Sequence, residues 1–163
     1  MSDNYAVING KRIELTDEQV KTLGIERTNP FGRVEKGDVY YRITEYGDIG
    51  DLTEDGDYTD QYLYDGVNYF NDDSFANQVA LRQLLYRKLL KFAYDNNCED
   101  DKPWDCESKH YRVYYSHAHK IFKTEVNFEG QHPGAYFSSE EAAKRAIKEV
   151  IEPFMKEHPE FVW

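Results

Sequence analysis

Cysteine is scarce in this 163-residue chain: Cys98 and Cys106 are its only thiols. Seven residues separate them, so they lack the tight Cys pairing of a zinc site, even with His110, His117 and His119 following. A bridge across so short and polar a loop is disfavoured in a reducing compartment, and free thiols are expected. Long apolar runs are missing too. None approaches the roughly 18 residues of a membrane span, and the first fifteen residues, with Asn4, Asn9, Lys11 and Arg12, offer no signal-peptide core. The expectation is a soluble, cytoplasmic protein. Bases are in deficit, 20 Lys and Arg against 31 Asp and Glu for a net charge of -11, which sets aside nucleic-acid binding through a broadly basic surface. Gly-rich phosphate loops, G-x-S-x-G elbows and H-E-x-x-H helices are all absent. No cofactor is implied.

What is present is a globular composition, 40% hydrophobic and 15% aromatic, with charge distributed unevenly. Residues 1–36 and 108–163 each balance their acids and bases. Residues 37–74 hold Asp38, Glu45, Asp48, Asp51, Glu54, Asp55, Asp57, Asp60, Asp65, Asp72 and Asp73 against Arg42 alone, together with seven of the fourteen tyrosines. Residues 75–97 return +3 and a loop at 98–107 adds -4.

Local patterns divide the chain into a hairpin-helix module (1–25), a linker (26–36), a strand-helix unit bearing the acidic segment (37–97), the acidic loop (98–107) and a second strand-helix unit (108–163). In the first module Asn9-Gly10 suits a type I′ turn, Thr16 and Gln19 stand in capping-box spacing, and Gly24 can end the helix. The two larger units read as one pattern written twice. Tyr41-Arg42-Ile43 lies in a strand-like run, Tyr46-Gly47-Asp48 turns it, a second strand starts at Ile49, and Tyr69-Phe70 precedes a long amphipathic helix. Tyr111-Arg112 opens another strand, 117–120 turns it, and Tyr136-Phe137 precedes a helix with Ser138 and Glu141 as its capping box and apolar residues through Phe154. The fold class expected is α+β: an N-terminal ββα module, then two ββα-like units whose antiparallel strands pack against two amphipathic helices.

The run Lys36-Gly37-Asp38-Val39-Tyr40-Tyr41-Arg42-Ile43, with Tyr69-Phe70 and Tyr136-Phe137-Ser138-Ser139-Glu140-Glu141-Ala142, resembles small accessory proteins of phages, prophages and mobile elements of Gram-positive bacteria. The resemblance implies a genomic context in which accessory genes disarm or regulate host machinery, anti-CRISPR proteins among them.

Residues 51–62 match a calcium loop at positions 1, 3, 5 and 6, but Tyr62 replaces the bidentate Glu at position 12, so the segment reads as a charged, exposed, turn-rich connection. Two uses of it stay open. Tyrosines can pack inward while acids keep a sheet edge soluble. Alternatively, Asp48, Asp51, Glu54, Asp55, Asp57 and Asp60 can imitate a row of phosphates, with Tyr58 and Tyr62 as contact anchors. The preferred expectation is a non-enzymatic inhibitor that binds a host nucleic-acid-handling protein, a CRISPR effector in one form, without contacting nucleic acid or membrane itself. The alternatives are a self-associating assembly or regulatory protein and a small metal-dependent nuclease or hydrolase.

Overall fold

The computed structural model describes residues 5–8, 11–24 and 29–163, and the chain is an α+β protein. Strands β1 (Tyr5–Ile8) and β2 (Lys11–Glu14) pair antiparallel; their Asn9-Gly10 connection lies outside the described residues. Helix α1 (Asp17–Thr22) starts at a reciprocal cap, in which the Thr16 amide donates to Gln19 Oε1 at 2.9 Å and the Gln19 amide to Thr16 Oγ1 at 3.2 Å.

Strands β3 (Val39–Ile43) and β4 (Ile49–Thr53) form a second hairpin. Gly47 at its turn sits at φ +92°, a conformation that penalises side chains bearing a Cβ. Helix α2 (Tyr58–Asp65) follows, then the 23-residue α3 (Asp73–Asp95), capped by the Asp72 side chain, which accepts from the Phe75 amide. Strands β5 (His110–Ser116), β6 (Ile121–Asn127) and β7 (Tyr136–Phe137) make an antiparallel sheet in the order β6-β5-β7. Helix α4 (Glu140–Ala146) runs through a π-helical segment (Ile147–Ile151) into α5 (Glu152–Glu157).

Two sequence expectations shift. The α4 cap is Ser139, whose side chain accepts from the Ala142 amide, rather than Ser138. The Ser138 amide is already committed to the Cys98 carbonyl, so the chain turns helical one residue later. The single helix expected through Phe154 is interrupted by the π-helical segment. Pro153 has no N–H and its ring crowds the carbonyl of Glu149, and widening the preceding turn accommodates both.

Packing centres on α3. Leu81, Leu85, Leu89, Phe92 and Ala93, spaced at three- and four-residue steps, close one core with Phe137, Ala142, Ala143, Ala146, Ile151, Phe154 and Phe161. Ala76 and Ala80, nearer the start of the helix, are buried as well, and α3 also packs on β3 and β4. The helix therefore serves both larger strand groups. Within them, corresponding positions make corresponding contacts. Tyr41 bridges Phe70, and Tyr111 pairs with Phe137. The residue before each of these tyrosines is fully buried against a carboxylate: Tyr40 on Asp60 at 2.7 Å, His110 Nδ1 on Asp100 at 2.6 Å. The hydroxyls of Tyr69 and Tyr136 each accept a backbone amide, from Val34 and His132.

Cys98 is buried and Cys106 exposed, and both are free. Burial also raises the Cys98 pKa, which depresses its thiolate fraction. Iodoacetamide at neutral pH is expected to label one thiol quickly, at Cys106, and Cys98 only after urea unfolding, as read by intact mass and peptide mapping. Equal labelling rates in the folded protein would contradict this packing.

Candidate functional site: an acidic face on a buried brace

The acidic segment separates into two populations. Asp48, Asp51, Asp55 and Asp57 are exposed, as are Tyr58 and Tyr62, at 83% and 67% of full accessibility. Tyr58 and Tyr62 lie one turn apart on α2, with ring centroids 6.2 Å apart. Glu54 and Asp60, expected in an exposed turn, are instead buried, each at 3%. The correction has a physical cause, because each carboxylate is saturated by donors that only the folded chain assembles.

Glu54 accepts the Arg33 guanidinium through two parallel bonds, Nε to Oε2 and Nη2 to Oε1, both 2.9 Å. Its oxygens also accept the Tyr69 hydroxyl and the Gly56 amide, each at 2.9 Å. Asp60 Oδ1 accepts from the Tyr40 hydroxyl, and Oδ2 takes the amides of Asp55, Gly56 and Asp57 at 2.8, 2.8 and 3.1 Å. Gly56 makes this fold-back possible at φ +76°. The Tyr40 and Tyr69 rings stack beneath at 3.9 Å, 13° from parallel.

Electrostatics follow from these contacts. The Arg33 bonds hold the Glu54 carboxyl below its ordinary range against the opposing effect of burial, with Tyr69 assisting. Burial opposes ionisation of Asp60, but bonds from Tyr40 and the amides of Asp55, Asp57 and Gly56 prevail, bringing it to about 2. Burial beside these anions pushes the Tyr69 hydroxyl up to about 12 and that of Tyr40 in the same direction. Each carboxylate thus receives four donors, about the number of its lone-pair sites. The pair has neither a proton to donate near neutral pH nor an open lone pair for a cation. Its chemistry is that of a brace.

The brace holds the surface above it. Asp57 caps α2 and exchanges bonds with Asp60, so the carboxylate that locks the 55–57 loop also starts the helix bearing Tyr58 and Tyr62. Arg33 additionally donates to Gln61 Oε1 at 2.8 Å and lies 5.5 Å from the Tyr64 ring centroid. The sequence patterns place Arg33 in a linker and Tyr69 just before the long helix, give neither these residues nor Tyr40 a carboxylate partner, and predict no helix at α2. One local signal was available: Asp57 and Asp60 have capping-box spacing, with Asp in place of the usual Glu.

The acidic loop at 98–107 contributes a second buried pair. His110 is stacked on Trp104 at 3.6 Å, and its Nδ1 meets Asp100 while its Nε2 has no hydrogen-bond partner. Among the described residues, no three His, Cys, Asp or Glu side chains converge to hold a metal ion. No described helix is long and apolar enough to cross a membrane. No protein-family model, curated protein or solved structure matches the chain.

Proposed function

We propose that this chain is a non-enzymatic inhibitor whose face of Asp48, Asp51, Asp55, Asp57, Tyr58 and Tyr62 docks in the basic groove of a nucleic-acid-handling protein and competes there with nucleic acid. The observation that carries the reading is the sorting of the acidic segment: Glu54 and Asp60 are spent inside the protein, where they fix the 55–57 loop and the start of the helix bearing Tyr58 and Tyr62, while Asp48, Asp51, Asp55, Asp57 and both tyrosines are exposed. A fixed array loses little conformational entropy on binding, and exposed tyrosines provide the contact area typical of interface anchors. Phosphate mimicry needs fixed negative charges of this kind. The resemblance to phage and mobile-element accessory proteins supports a bacterial cytoplasmic host, with a CRISPR effector as one form of the partner.

The contacts shared by Tyr41–Phe70 and Tyr111–Phe137 support reading the two larger strand groups as a duplicated unit, behind an N-terminal ββα module. In this reading the first copy has diverged into the docking face. Self-association is the second reading, favoured by edge strand β6, where Ile121 and Val126 are exposed, with Phe128 just beyond.

Changing Asp48, Asp51, Asp55 and Asp57 together to Asn preserves shape and the α2 cap while removing four charges. Affinity for a captured partner is expected to fall about tenfold or more, with slower association as salt rises past 0.1 M, where screening acts over about 10 Å. Duplex DNA or guide RNA should compete with the wild-type chain. Unchanged affinity in a variant with native circular dichroism, or simultaneous binding of nucleic acid, would reject mimicry. A dimer in sedimentation without any partner would favour the second reading.

A further inference from the structure

A cavity of about 660 Å³ opens between α3, β5, the 133–135 loop, β7 and the segment after α5, and shares no residue with the acidic face. That volume is within the range of sites for single small molecules, roughly 300–1,000 Å³. Its apolar lining comes from Leu85, Leu89, Val113, Phe137, Phe161 and Trp163. These residues reach it from four separate stretches of chain, several of them part of the main core. Two guanidinium groups line the same cavity. Arg112 is neutralised by Glu125, with Nη2 at 2.6 Å. Arg82 is exposed, donates to the Val162 carbonyl at 3.2 Å, and pairs with no carboxylate among the described residues.

We infer that this cavity is a binding site for an amphiphilic monocarboxylate of the fatty-acid class, its chain against the wall of Val113 and Trp163 and its headgroup on Arg82. Charge complementarity selects this occupant. An apolar wall takes an aliphatic chain without polar loss, and a guanidinium matches a carboxylate through two parallel bonds. One uncompensated arginine fits one negative charge, whereas a dianion would face Glu125 and a chain of net charge -11. A cationic amphiphile would meet Arg82 repulsively, and a neutral one would forgo the pairing.

The test titrates the full chain by calorimetry with dodecanoate and dodecylammonium below their micelle concentrations and dodecanol below its solubility limit. Saturable binding of one dodecanoate per chain is expected, with dodecanol about tenfold weaker and dodecylammonium weaker still. Arg82→Met, which keeps an apolar stem at an exposed position, should weaken dodecanoate about tenfold and leave dodecanol unchanged. Val113→Trp, which fills the cavity, should abolish binding of both; if that variant loses its native circular dichroism, Arg82→Met decides alone. No saturable heat with dodecanoate, equal affinity for all three amphiphiles, or an Arg82→Met variant that binds dodecanoate as wild type would each overturn the assignment.

Discussion

Asp60→Ala is expected to destabilise the protein by about 3–5 kcal/mol, a large share of a domain's total stability. The substitution removes one carboxylate and strands three donors, the fully buried Tyr40 hydroxyl and the amides of Asp55 and Asp57, while the Gly56 amide keeps its bond to Glu54. It also removes half of the α2 capping box. Asp60→Asn should cost less, since one oxygen can still accept. The same carboxylate gives stability a predictable pH dependence. Its pKa is lowered on folding from 3.8 to about 2, so its contribution is complete above about pH 4 and is lost as pH falls towards 2. Glu54, lowered by Arg33, acts in the same direction. Urea unfolding of wild type and Asp60→Asn from pH 7 to pH 2.5 would measure both effects, the variant showing the flatter acid limb. A loss under about 1 kcal/mol for Asp60→Ala would mean that the brace is dispensable.

Phe137→Ala is the second large effect, again about 3–5 kcal/mol, from lost burial and the cavity left behind. Phe137 is fully buried, meets Phe92 edge-on with centroids 6.3 Å apart, and sits in a strand of only two residues. Little around it can move to fill the space, because its backbone pairs with β5 on one side and bridges Glu99 on the other. Since α3 packs on both larger strand groups, damage at Phe137 should lower the unfolding midpoint of the whole region from 37 to 163. Far-ultraviolet circular dichroism and tryptophan emission are expected to report one coincident urea transition in wild type and variant alike. Two separated transitions would show that α3 does not couple the halves.

The uneven charge distribution, the two larger hairpins, the Thr16–Gln19 cap and the long amphipathic α3 were all legible in the sequence. Each is encoded by residues within a few positions of one another: alternation and a turn glycine for β3–β4, three- and four-residue apolar steps for α3. The start of α4 was legible to within one residue, and α2 was missed although its cap spacing was present. Which acids face water was not legible. Glu54, Asp55, Asp57 and Asp60 fall within seven positions and are chemically alike, yet two are buried and two exposed. The difference comes from partners distant in sequence, Arg33 twenty-one residues before Glu54, Tyr69 fifteen after it and Tyr40 twenty before Asp60. Burying a carboxylate is favourable only where such donors converge, and that convergence exists only in the tertiary structure. The same holds for the cavity beside Arg82, whose walls come from four stretches of chain that no local pattern relates. Sequence alone set the amount and location of the charge; packing decided which part of it braces the fold and which part faces solvent.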